Sequence, residues 1–489
     1  MSGAPSAGPA LGAPRRLAAN AYWVGLAGVL AVALGAVTGA DVKIALVLAG
    51  GLALAVLAVS RPSALLPVLA AGLFLQAVAV GGATFERLIA PLALLVGAIE
   101  LVRRTATIRV APPLLWATAY SLWALASGLW TVSVAGTMFS LASLAIALTY
   151  MIAFAALLNT ERELRRILYV LVVTALLVGA SSVLAYAGRN PILSSAQLQE
   201  GRAQGGVGDP EAFSAFQVLF LPVLLVLIAE TRKRWLRGVL VLAVLVSVAS
   251  VITSVSRTGF VTLAALLPLL AFLPARALFR SRQQKSLLLL VIAIGVVGIL
   301  SRPYPRSQAW NRTQAIWSPQ KSGASRGSGR QDMWIVAKNE VAAHPLTGLG
   351  FGTFRYVSQD ILVRTPGVDL SFYRPRVPGN YLLAHSAYFG SAGELGLPGL
   401  VLFLGMLLST GLALRRVAVR SRQVGAFFLS RVANAFVLGL VAWAISAAFI
   451  ETETARPFWI LLGISLALPK VLESTLARGE ESSAGGRIS

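Results

Sequence analysis

His385-Ser-Ala-Tyr-Phe-Gly-Ser-Ala-Gly-Glu-Leu-Gly-Leu-Pro-Gly-Leu400 is where the chain turns apolar again after the polar stretch 302–384. Reading those two pieces together decides the fold. On both sides lie runs too apolar to sit in water, whereas the insert carries eleven Lys/Arg and four Asp/Glu and has to face an aqueous compartment. Both histidines of the protein, His344 and His385, lie within the insert or directly at its end.

Working outward, hydrophobic residues make up 57% of 489 and charged residues only 12%, with a mean hydropathy of +0.77. These values belong to a polytopic membrane protein rather than a soluble domain. The formal charge of +23 is spread in short clusters between apolar runs, so membrane orientation explains it and nucleic-acid binding does not. The absence of cysteine excludes disulfides, thiolate zinc sites, iron–sulfur clusters and cysteine nucleophiles. With two histidines, no metal site and no cofactor are expected. Arg15 and Arg16 precede an apolar run that continues into further spans, which reads as an uncleaved first span rather than a signal peptide.

Apolar runs of spanning length fall at 20–39, 43–60, 63–81, 87–102, 112–131, 137–158, 167–187, 212–229, 237–255, 259–275, 286–301, 386–414, 428–450 and 457–473. The expected fold is all-α: a transmembrane helix bundle of about 12–14 spans with one large extracytoplasmic loop containing short helices. The expected organisation is a cytoplasmic tail 1–19, a first bundle segment 20–301, a periplasmic loop 302–384, a last bundle segment 385–473 and a cytoplasmic tail 474–489. Clusters such as Arg162/Arg165/Arg166, Arg276/Arg280/Arg282/Lys285 and Arg415/Arg416/Arg420/Arg422/Arg431 then face inward, while the early outer loops hold only Lys43 and Arg87. Within the loop, 306–317 reads as an interfacial helix, 318–329 as a hinge and 330–343 as a helix ended by His344-Pro345. Residues 355–381 show no period and read as irregular.

This topology puts Arg202, Arg257 and His385 at span ends on one side of the membrane. A neutral imidazole at His385 can take a proton from a sugar hydroxyl, or it can serve only as an interfacial hydrogen-bonding group. Arg257, in the turn Ser256-Arg257-Thr258, either snorkels to the headgroups or grips phosphate oxygens. Arg202 sits among glycines that let backbone N–H groups approach an anion. Arg330 and Asp332 start a loop helix, where capping competes with substrate contact. Glu394 is an acid inside an apolar helix, placed either for function or for pairing with a neighbouring helix. Asp209-Pro210-Glu211 reads as a helix start, Glu451, Glu453 and Arg456 as a locally ion-paired turn, and His344 as structural. The glycines Gly348, Gly350 and Gly352 follow a helix and lack a Gly-Lys-Ser/Thr, so they do not form a nucleotide loop.

Four pieces together resemble the O-antigen ligase and O-antigen polymerase superfamily of bacterial membrane glycosyltransferases. They are Gly201-Arg202…Gly206…Asp209-Pro210-Glu-Ala-Phe213; Ser254-Val-Ser-Arg257-Thr-Gly259; Arg330-Gln-Asp-Met-Trp334 with His344-Pro345-Leu-Thr-Gly348-Leu-Gly350-Phe-Gly352-Thr-Phe354; and His385-Ser…Gly393-Glu394-Leu-Gly396-Leu-Pro-Gly399. Members typically have about twelve spans and often Asn where this chain has Ser386, two departures from the pattern. The resemblance implies metal-independent transfer of a glycan from an undecaprenyl-diphosphate carrier to an acceptor hydroxyl at the periplasmic face of the cytoplasmic membrane. It implies Arg202 and Arg257 on the diphosphate and His385 at the acceptor, with Arg330 and Glu394 as secondary residues. The implied partners are a lipid-linked glycan donor, a glycolipid, polysaccharide or protein acceptor, and membrane lipids. Ligase and polymerase both stay open. A transporter of inorganic anions is the competing class; its usual mark, paired midplane charges, is not present in these spans.

Overall fold

The computed structural model describes residues 61–76, 79–80, 83–84, 90–91, 93–94, 108–189, 198–199, 201–300, 330–366 and 382–485. The expected spans 20–39 and 43–60, nearly all of 87–102, the interfacial helix 306–317 and the hinge 318–329 lie outside these residues.

In chain order the helices are α1 (Leu65–Gly72), α2 (Pro112–Ala126), α3 (Val134–Leu157), α4 (Glu161–Tyr186), α5 (Pro210–Glu230), α6 (Arg234–Thr253), α7 (Arg257–Phe272), α8 (Arg282–Leu300), α9 (Arg330–Ala343), α10 (Phe354–Arg364), α11 (Ala387–Gln423), α12 (Phe427–Ala447) and α13 (Arg456–Gly485). Among the described residues, strands are confined to two tiny antiparallel pairings, β1 (Ala79–Val80) with β2 (Ala83–Thr84) and β3 (Leu198–Gln199) with β4 (Arg202–Ala203). Seven helices among the described residues, α3 to α6 and α11 to α13, are long and apolar enough to cross a bilayer, so the chain is an all-α polytopic membrane bundle. Helix α7 is apolar but shorter, at 16 residues.

At the centre stands α5, apolar on every side and almost wholly buried, as a helix surrounded by other helices has to be. It packs on α6 and α12; α12 packs on α11 and α7; α11 packs on α2 and on the loop helix α9. Polar N-caps start several of these helices. Asp209 accepts the Ala212 N–H at 2.7 Å, Ser256 accepts that of Gly259 at 3.2 Å, and Thr160 with Glu163 forms a reciprocal capping box on α4. The two ends of α5 carry acids, Glu211 and Glu230, separated by about 30 Å of helix. Glu230 binds Arg280 at 3.0 Å and contacts Arg431, so two basic clusters expected on the same face do meet at one end of the bundle.

Residues 354–364 form α10 instead of irregular chain. Its buried face is Phe354, Ser358 and Leu362, and the polar middle member hides the helical period in the sequence. The Ser358 hydroxyl is satisfied by donating to the Leu382 carbonyl at 2.8 Å. Helix α13 likewise runs on to Gly485, through the stretch expected as a tail.

Helix α11 is broken at Gly396, whose φ of 68° and ψ of −173° are not helical. The break leaves backbone groups without helical partners, and the loop after α9 supplies them. Leu349 N–H donates to Gly393 O (3.0 Å), Gly350 N–H to Glu394 O (2.8 Å) and Leu397 N–H to Pro345 O (2.8 Å). The Trp123 indole donates to Leu395 O at 2.9 Å. Backbone meets backbone here, so side chains are excluded. A Cβ on Gly348, itself at φ 63°, would lie 2.4 Å from the Glu394 carbonyl carbon, and one on Gly396 would lie 2.6 Å from that of Leu346.

Gly348→Ala is therefore expected to destabilise the protein by about 1–3 kcal/mol in reversible unfolding measured in detergent. Gly128→Ala, where nothing lies within 4 Å of the new methyl, serves as the control and should change stability by less than about 0.5 kcal/mol.

Candidate functional site

The Asp209 cap and Pro210 at the first helical position fix the entry of α5, which presents Glu211 in its first turn toward the polar loop. Glu211 contacts the guanidinium of Arg330, the first residue of α9, and lies 3.6 Å from that of Arg202 on β4. Arg202 also donates through Nε to the Ser254 carbonyl at 3.1 Å. That carbonyl belongs to a strained turn, since Val255 adopts φ 47°, a conformation that β-branched residues avoid. One arginine thus joins the start of α5 to the turn between α6 and α7. Arg257 opens α7 three residues beyond the gripped carbonyl and is half-buried.

His385 sits immediately before α11, at φ 50°. A left-handed residue with a Cβ costs about 1–3 kcal/mol, so its surroundings have to hold it there. Ser386 caps α11, accepting the Phe389 N–H at 3.4 Å, and Ala387 N–H donates to Ile450 O at 3.0 Å. From the loop side, Trp334 of α9 stacks on Phe389 with ring centroids 5.4 Å apart. Burial first, and then the neighbouring Arg330 charge, hold the imidazole below its usual value, while Glu211 pulls the other way. His385 is accordingly neutral near pH 7, the state in which one ring nitrogen accepts a proton.

These groups border a cavity of about 480 Å³, lined among others by Arg202, Glu211, Arg355, His385, Glu394 and Glu453. That volume falls within the range of small-ligand sites. Of the expected site residues, Arg202, His385 and Glu394 line it. Arg330 reaches it through Glu211, and Arg257, three residues past the carbonyl that Arg202 grips, is outside the lining. The carboxylate of Glu394 is already engaged, accepting the Gly352 N–H at 2.7 Å and the Phe354 N–H at 3.1 Å. It clamps the glycine loop to α11 rather than pairing with a neighbouring span.

Four lining residues escape sequence reading. Glu211 looks like an ordinary helix-start acid, and Arg355 lies in a stretch without a visible period. Glu451 and Glu453 read as a surface ion-paired turn with Arg456, whereas both turn inward onto the cavity. Arg456 donates to the Thr454 carbonyl at 3.3 Å. Burial pushes both carboxyls above the usual range, and for Glu453 the neighbouring Glu451 and Glu394 charges add to the effect. The cavity is therefore two-sided. Arginines and the imidazole approach from β4, α9 and the start of α11, and carboxyls from α11 and the turn before α13. Such a site can hold a polyanion at one side and hydroxyl groups at the other.

No curated protein matches the chain. Residues 242–404 match the family model described as O-antigen ligase, a stretch that holds Arg257, Arg330, His385 and Glu394 but neither Arg202 nor Glu211. Across that stretch, from α6 through the break in α11, the chain is similar to the O-antigen ligase family.

Proposed function

We propose that the protein transfers a glycan from an undecaprenyl-diphosphate carrier to an acceptor hydroxyl at the periplasmic face of the cytoplasmic membrane. The observation that carries this reading is the meeting of Arg202, Arg330 and His385 around Glu211 at one end of α5, beside a cavity at a break in a membrane helix. In the reaction, His385 accepts the proton of the acceptor hydroxyl as its oxygen attacks the anomeric carbon. The carbon–oxygen bond to the diphosphate breaks, and its electron pair leaves on the diphosphate. Arg202, in the cavity lining, binds that growing charge, and Arg257 adds its positive charge from outside the lining; a poorly hydrated pocket makes such preorganised cations most effective. Glu211 keeps the arginines from drifting or collapsing onto the imidazole. Arg330, held by Glu211, is a secondary contact. Ligase and polymerase share this chemistry and differ only in the acceptor, a glycolipid or protein for one and a second lipid-linked glycan for the other.

With purified protein and a lipid-linked donor, His385→Ala is expected to lower kcat by about 10²–10⁴-fold. Arg202→Ala and Arg257→Ala should weaken transfer at least tenfold. Wild-type rates in all three variants would sink the assignment.

The pH profile supplies a second test. Because protonation of His385 removes the base, kcat should fall on acidification with a midpoint below about 6.5, the ordinary imidazole value. Arg330→Gln deletes a cation that lowers this value and unmasks Glu211, which raises it, so the acid limb should move to higher pH. An unmoved limb in the active variant would show that His385 is not the titrating base.

A further inference from the structure

We infer that Glu451 is the positioning residue for His385. The inference rests on reading His385 as the general base and concerns how its ring is aimed. Ala384 N–H, directly before the histidine, donates to Glu451 Oε1 at 2.7 Å, and the His385 N–H faces the same carboxylate. On the other side, Ala387 N–H donates to Ile450 O at 3.0 Å. Two consecutive residues after α12 therefore grip the chain on both flanks of His385.

Backbone conformation explains why a carboxylate stands there. A left-handed residue turns successive N–H groups toward a common point, an arrangement that binds anions. At His385 the φ of 50° creates this arrangement, and the anion is a side chain of the same protein. Removing it leaves neighbouring N–H groups without an acceptor and a strained residue free to relax toward negative φ. The relaxation swings Cβ and carries the imidazole out of the cavity. Neither neighbouring acid can substitute. Glu394 is committed to Gly352 and Phe354, and Glu453 lies against Gly390, where its Oε1 would be 2.6 Å from any added Cβ.

The test uses full-length protein in nanodiscs and compares Glu451→Ala, Glu451→Gln and His385→Ala. Glutamine retains an acceptor oxygen for the N–H groups, so Glu451→Gln should keep at least a third of wild-type kcat. Glu451→Ala should lose kcat by about a hundredfold, the usual consequence of misplacing a catalytic group by an ångström, with the donor KM within twofold. The chain has only two histidines, so selective 15N-histidine labelling in a His344→Gln background leaves one imidazole signal. That signal should shift or split in Glu451→Ala and stay put in Glu451→Gln. If the alanine variant does not yield monodisperse protein, Glu451→Asp, which keeps the charge and shortens the reach, should show the same losses. Wild-type kcat with an unmoved signal in Glu451→Ala overturns the inference. So does equal impairment of Gln and Ala, or a loss seen in donor KM instead of kcat. Should His385→Ala retain transfer while the signal still moves in Glu451→Ala, the catalytic reading of His385 fails and the positioning contact stands.

Discussion

Glu211 pairs with two guanidinium groups in a half-buried setting, and those two contacts join three separate parts of the chain. Arg330 brings the loop helix α9, Arg202 brings the β3–β4 hairpin, and Glu211 belongs to the most buried membrane helix. Taking charges out of water is costly, and the attraction between them offsets that cost only when geometry and further hydrogen bonds are good. Here Arg202 adds its bond to the Ser254 carbonyl. Losing one partner of such a group typically costs about 3–5 kcal/mol, because the others are left buried and uncompensated. The same carboxylate also sets the field felt by His385, opposing the Arg330 charge. One acid thus docks the loop and also moderates an imidazole basicity that burial and Arg330 lower.

The second constraint is the break in α11. A continuous helix would satisfy its own backbone and offer nothing to the loop. By leaving the helical path at Gly396, the chain exposes carbonyl and N–H groups at the cavity edge. These are met by the glycine loop after α9 and by Trp123. Glu394, two residues earlier, then uses both carboxylate oxygens on that loop. Its placement in an apolar helix is understandable once those two N–H donors are counted, since a buried carboxylate without donors would be very unfavourable.

The glycine pattern that superficially resembles a nucleotide loop has a structural cause. At Gly348 a side chain would collide with the backbone of α11, so close approach of two chains, not a phosphate, selects the residue type. The buried turn at Glu451 and Glu453 shows the opposite error. Acids and an arginine adjacent in sequence suggest a solvated surface turn, yet both acids line the cavity. Local spacing carries no information about which side of a turn faces a neighbouring helix.

The amino-acid sequence by itself determined that the chain is a helical membrane bundle, because long apolar runs are stable only where the backbone satisfies itself in helices. It also determined where helices begin, through caps such as Asp209 and Ser256, whose hydrogen bonds are made within three residues. It singled out Arg202 and His385 because a charge or an imidazole at the end of an apolar run is conspicuous. It took the tertiary structure to show that Glu211 stands between the arginines, that Glu451 grips the backbone beside His385, and that Arg257 is not in the cavity lining. Those contacts join residues from nine to more than a hundred positions apart, and the packing of helices fixes such pairings after every local preference has been met.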